Sequence, residues 1–359
     1  MDLPMAGESE VNPGWSLIDC DVHCVPLHAD EIVSRLPAYF RTQGLVLPGG
    51  PGLPHPTGVR RVDARGPRGE PAGSLPEKMQ EQLLDAYGVD FAVLIEAKLL
   101  TVGVHPDTHF GNEIARAHND WLREKWLPAD PRFLGSMLIN PLDPVAAAAE
   151  IRRVAGSERI VQVVMTSATR IPLGDRIYWP IYEAACEAGL PVAVHPGAEG
   201  KGVAGQFTAG FPASYLEWHT NLSQNFMAQL TSLLCRGAMS QFPELRFVMV
   251  EGGFGWVPHL LWRLDKNWKG LRSTVPWLDR LPSEYVLERV RFTSQPVEEP
   301  PSSDQLLELL HMMQAERTLM FSSDYPHWDN DSPLRAFPRL PEEMKERIFW
   351  KNAAELYRL

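Results

Sequence analysis

The sequence predicts a closed (β/α)8 TIM barrel, and three observations predict it. Short apolar runs rich in β-branched residues recur eight times, most lead into a longer stretch with helical periodicity, and several end abruptly in an acid or a histidine. A chain of 359 residues is long for one barrel, but such folds carry insertions, so a single unit over 1–359 accommodates the length.

The first run, 16–21, leads into Asp19-Cys20-Asp21-Val22-His23. After it, 44–76 is dense in Gly, Pro and Arg without periodicity, which marks an insertion placed to act as a lid over the strand ends. The second run, 90–95, precedes a helix over 112–127, the third, 133–139, a helix over 144–155, and the fourth, 160–165, a helix over 179–188. Gly189 then stands where a helix C-cap favours glycine. The fifth run, 191–195, is followed by a Gly- and Ala-rich loop, 201–215, and a helix over 226–236. Runs at 246–251, 290–293 and 318–323 complete the set, with a helix over 303–313 between the last two.

Composition narrows the function classes. The chain is 44% hydrophobic and 22% charged, with a net charge of −11 and no Lys/Arg-rich run, so a nucleic-acid partner is excluded as an expectation. No apolar run reaches the length of a membrane span. Residues 1–11 are acidic and polar, unlike a secretory leader, and Cys20, Cys24, Cys186 and Cys235 show no CxxC pairing. Both features point to a reducing, cytoplasmic setting without disulfides or structural zinc.

In a barrel the site is built where strands end. Period-two geometry puts Asp21 and His23 on one face of the first strand, where a carboxylate and an imidazole can chelate a divalent cation. Alone, the pair is equally a capping Asp and a packed His. His195 ends the run Val192-Ala193-Val194, Glu251 ends Phe247-Val248-Met249-Val250, and Asp324 follows Leu319-Met320-Phe321-Ser322-Ser323. An acid closing an apolar run needs a partner, which a helix N-terminus, an ion pair or a metal would each supply. The ordered set on the first, fifth, sixth and eighth strands is far more specific than any member. The glycines of Glu251-Gly252-Gly253-Phe254-Gly255 lack the GxGxxG order of a nucleotide-binding turn.

Taken together, IDCDVH, VAVHPG, FVMVEGGFGWVP, FSSDYPHWD and the closing RIFWKNAAELYRL resemble the amidohydrolase superfamily over nearly the whole chain. The resemblance is to the branch of aminocarboxymuconate-semialdehyde decarboxylase and γ-resorcylate decarboxylase. It implies one divalent metal ion, zinc ahead of manganese, held by Asp21, His23, His195 and Asp324. Two positions depart from the branch: Asp21 stands where His or Glu is usual, and Glu251 where a catalytic His is frequent. The implied reaction is non-oxidative decarboxylation of a small aromatic or unsaturated carboxylic acid. Hydrolysis of an amide, lactone or ester is the alternative, and a metal-free barrel binding protein the third reading.

Asp324 and Glu251 are the acid/base candidates, and His219, after the fifth strand, is a further proton donor. Arg170, after the fourth strand, and His327, after Asp324, are the substrate-binding candidates, with Lys98 a weaker one. The expected partner is a small carboxylic acid or carbonyl compound, and the resemblance adds a homodimer.

Overall fold

The computed structural model describes residues 14–43, 47, 49, 52–203 and 210–359. Parts of the two expected loops, 44–46, 48, 50–51 and 204–209, lie outside the described residues, as do residues 1–11. Eight parallel strands run in sequence order: β1 (Ile18–His23), β2 (Phe91–Ile95), β3 (Phe133–Leu138), β4 (Ile160–Thr166), β5 (Val192–His195), β6 (Phe247–Met249), β7 (Val290–Thr293) and β8 (Leu319–Met320). Between the eighth strand and the first, the N–H of Cys20 donates to Phe321 O at 3.0 Å and that of His23 to Tyr325 O at 2.7 Å. These bonds bring the two edges together, and the sheet forms a nearly closed (β/α)8 barrel.

Each run expected to be a strand contains one. β6 stops at Met249 and β8 at Met320, short of the expected 251 and 323, and the backbone beyond them turns left-handed at Glu251 (φ 56°) and Asp324 (φ 60°). A residue at positive φ cannot continue a ladder. The helices follow local capping chemistry. Asp107 accepts from Phe110 N at 3.0 Å to start Thr108–Trp121, and Asp143 accepts from Ala146 N at 3.1 Å to start Pro144–Val154. Gly189 adopts φ 66° at the end of Trp179–Ala188, as its type suggested. The helix expected over 226–236 begins earlier, at Leu222.

The inward and outward faces of the strands are packed into one continuous apolar core that includes Phe133, Phe247 and Phe292, all fully buried. Gly174 lies so close to the helix Leu222–Cys235 that a Cβ there would sit 1.9 Å from Ser232 O, which fixes that residue as glycine. All four cysteines are free. Among the described residues no helix is long and apolar enough to cross a membrane.

The described part of the insertion after β1 runs along the loop that follows β8. Arg60 bridges to His327 in antiparallel fashion, Arg61 N–H donates to Pro326 O at 2.9 Å, and Trp328 N–H to Val59 O at 3.0 Å. Non-local backbone bonds thus bring a stretch without periodicity to the rim where β1 and β8 end.

Candidate active site

At the C-terminal rim, β1 turns Asp21 and His23 inward, β5 delivers His195, and the turns after β6 and β8 deliver Glu251 and Asp324. His23 Nδ1 lies 3.1 Å from Ile95 O, and His195 Nδ1 lies 2.7 Å from Pro196 O. A carbonyl only accepts, so each Nδ1 carries a proton and each Nε2 is turned to the centre. There His195 Nε2 is 3.6 Å from Asp21 Oδ2 and 3.2 Å from Glu251 Oε2, while His23 Nε2 is 3.5 Å from Asp21 Oδ1. His23 Nε2 lies 2.6 Å from Asp324 Oδ1, and His327 Nδ1 approaches the same oxygen at 2.7 Å.

The turns that present the two acids are strained. A non-glycine residue at positive φ costs roughly 1 kcal/mol or more, so both turns need outside support. For Glu251 it comes from Thr293, whose Oγ1 accepts the Glu251 N–H at 3.0 Å, and from Glu298, whose Oε1 accepts from Phe254 N at 2.8 Å and Gly255 N at 2.5 Å. For Asp324 it comes from β1, where Asp21 O accepts the Asp324 N–H at 3.0 Å.

Burial and crowding then set the charges. Burial, reinforced by the nearby Glu251 charge, pushes the Asp324 carboxyl well above the usual carboxylate range. Burial also works to raise Glu251, but His219, His195 and His327 around it outweigh that and hold it low. For His195, burial works downward and is overcome by Asp21 and Glu251, which raise it to about 10. His327 is driven down to about 4, chiefly by burial.

Several of these atoms have nothing to bond. Both Asp21 oxygens, His195 Nε2 and Asp324 Oδ2 are buried without a hydrogen-bond partner among the described residues. Unpartnered buried acceptors of this kind are costly unless something else fills the space between them. Asp21, His23, His195 and Glu251 each offer an atom within 4.8 Å of the others, and so do His23, Glu251, Asp324 and His327. This nitrogen and oxygen donor set fits a divalent cation.

Around the cluster the structure sorts the remaining candidates. His219 Nε2 is 3.7 Å from Glu251 Oε1 and 3.5 Å from Asp329 Oδ2, and its ring stacks on Tyr215 at 5.6 Å. Tyr215 and Trp328 flank His219, and the His55 ring packs against both, 4.8 Å from Tyr215 and 5.1 Å from Trp328. Arg170 is not brought to the cluster: it is exposed and makes no ion pair among the described residues. The turn after β4 carries it out to solvent, so proximity in sequence to a strand end was misleading. Arg60 is held at the rim by its bridge to His327, where Glu96, Cys24 and Asp324 are the groups its charge acts upon, Glu96 most strongly. Lys98 lies close enough for the two cations to repel.

Sequence reasoning passed over Arg60, Asp329 and Glu96. The last was accessible to it: Glu96 closes the apolar strand Phe91–Ile95 as Glu251 closes its own run, is buried, and accepts from Leu99 N at 2.6 Å. Arg60 left no comparable mark, being one of several arginines in an aperiodic loop.

Fold and cluster together define the class: a parallel eight-stranded barrel with a buried histidine and carboxylate centre at its C-terminal rim. The chain belongs to the Amidohydrolase family, whose model matches residues 18–359. It is similar to a γ-resorcylate decarboxylase from Polaromonas sp. strain JS666, 23% identical over 295 residues, covering 77% of this chain and 86% of that one. Its fold matches the crystal structure of 5-carboxyvanillate decarboxylase from Sphingomonas paucimobilis with a TM-score of 0.70 and 25% identity, over 96% of this chain and 99% of that chain. A dihydroxybenzoic acid decarboxylase from Polaromonas sp. JS666, solved with bound manganese and the inhibitor 2-nitroresorcinol, matches with a TM-score of 0.68 over 96% of this chain and 97% of that chain. At 18% identity that likeness is one of fold.

Proposed function

We propose that the protein is a metal-dependent decarboxylase of a small aromatic carboxylic acid. The observation that carries the reading is the buried quartet Asp21, His23, His195 and Glu251, in which both Asp21 oxygens and His195 Nε2 lack a hydrogen-bond partner among the described residues. The names of the relatives supply the reaction class, since they decarboxylate aromatic acids.

The quartet would hold one divalent ion, and when bound the ion would supply Lewis acidity and neutralise the crowded carboxylates. A donor set without thiolate suits manganese as well as zinc, and a structural neighbour carries manganese. Arg60 takes over the role first expected of Arg170, accepting the substrate carboxylate at the rim with Lys98 behind it. The rings of Tyr215, His219 and Trp328 offer faces to a planar substrate. The insertion that carries Arg60 and His55 serves as the lid, since it lies along the loop after β8.

Asp324 is the proton donor of this reading. His23 and His327 occupy its Oδ1, burial favours its neutral form, and its Oδ2 is otherwise unengaged. The proton passes to the ring carbon that bears the carboxylate, the carbon–carbon bond breaks with its electron pair returning to the ring, and carbon dioxide leaves. Solvent reprotonates Asp324, with His219 and Asp329 at the open side of the cluster. Glu251, held low by the histidines, would complete the set that holds the ion.

The test is carbon dioxide release from a panel of hydroxybenzoates by protein loaded with manganese or zinc, run beside ester, lactone and amide substrates. Metal-dependent release with solvent deuterium at the vacated carbon is the expected result. Metal-dependent hydrolysis without any decarboxylation would replace this reading with the hydrolase.

A further inference from the structure

Asp19 is an acid that the mechanism above does not use. It lies two residues before Asp21 in β1, where the pairing with β2 shifts register between Asp19 and Val22, and it is completely buried. Its Oδ1 accepts two backbone N–H groups, Ser323 at 2.9 Å and Asp21 at 3.3 Å, and its Oδ2 has no partner among the described residues. Those two N–H groups belong to Asp21 itself and to the residue that leads into left-handed Asp324. β8 itself ends at Met320, where it pairs with β7, and beyond it the Asp19 carboxylate adds to the backbone bonds, among them Asp324 N–H to Asp21 O at 3.0 Å, that hold the turn against β1.

We propose that Asp19 is the positioning residue of the metal centre, one carboxylate oxygen fixing the backbone of the ligand Asp21 against the Ser323–Asp324 turn that presents the proton donor. The inference rests on the proposed reading of the quartet as a metal site. Asp19 touches neither substrate nor ion. It acts on the ion through Asp21, the ligand it orients, as groups behind a ligand set usually do, and losing such a group typically weakens metal binding by about 10–100-fold.

A purely structural bond inside the barrel offers the control. Gln162, as fully buried as Asp19, donates to Ser136 Oγ at 2.9 Å and accepts from the Tyr357 hydroxyl at 2.9 Å. Manganese affinity would be measured by competition with a chromophoric chelator, alongside thermal melting in excess chelator, for the wild type, Asp19→Ala, Asp19→Asn and Gln162→Ala. Both alanine variants are expected to melt earlier, but only Asp19→Ala loses manganese affinity, by about 10–100-fold. Asp19→Asn keeps an acceptor at Oδ1 and stays within about tenfold of the wild type on the same scale. The inference is overturned if Asp19→Ala binds manganese within threefold of the wild type, or if Gln162→Ala loses as much affinity. Should Asp19→Ala not fold, a folded Asp19→Asn that binds no manganese overturns it equally. A wild type that binds no metal would overturn the reading of the quartet and this inference with it, whereas normal affinity in Asp19→Ala would leave that reading standing.

Discussion

On the outer wall Arg153 reaches Glu150 at 2.7 Å and Asp120 at 2.8 Å with all three side chains at least partly reached by water, whereas at the rim Asp21 and Asp324 are sealed off and leave three oxygens without a hydrogen bond among the described residues. The wall arrangement is inexpensive and contributes little, since exposed pairs are worth about 0–1 kcal/mol. The rim arrangement is the reverse. Burying a carboxylate away from a partner costs several kcal/mol, and two turns at positive φ add to that. A stable frame must therefore hold an unstable rim, and such a concentration of cost marks where the molecule does its chemistry.

Four substitutions sharpen this contrast. At the rim, Asp324→Asn should lower kcat about 10³-fold with KM little changed, because it removes a proton donor. The melting temperature of that variant should hold or rise, and a marked drop would show that Asp324 belongs to the frame. In the frame, Phe133→Ala removes a fully buried ring that contacts Trp126 at 5.6 Å, and should cost about 3–4 kcal/mol in urea unfolding. Activity per folded molecule should stay the same, and an equal fall in kcat would erase the distinction between the two regions. Arg60→Ala should reduce kcat/KM about 10²-fold, carried by KM, as expected for losing a charged contact to a substrate anion. A kcat effect alone would move Arg60 from substrate binding to the support of Asp324. Smallest of all, Arg153→Ala on the wall should shift stability by less than about 1 kcal/mol and leave kinetics untouched.

The same contrast explains what could be read from the sequence. The frame is a pattern of neighbours along the chain, so all eight strands and the helices such as Trp179–Ala188 were visible in periodicity and capping residues. The ligand candidates were visible for a related reason: Asp21, His23, His195, Glu251 and Asp324 interrupt or end apolar runs, where a polar side chain stands out. Arg60 was not, because a non-local bridge to His327 puts it at the rim and nothing in 44–76 distinguishes it from Arg61, Arg65 or Arg68. Arg170 stands at a comparable sequence position, after β4, and is exposed. Asp19 lay in plain view at two-residue spacing from Asp21, but its link to Ser323 spans 304 residues and appears only on folding.

The central claim is that the buried quartet Asp21, His23, His195 and Glu251 holds a cation. Its most direct test is elemental analysis of the purified protein beside an Asp21→Ala, His23→Ala double variant, both loaded with manganese or zinc and then desalted. The account predicts about one divalent ion per chain in the wild type and none in the variant, with the variant still folded. Equal metal content in both proteins, or none in either, would contradict it.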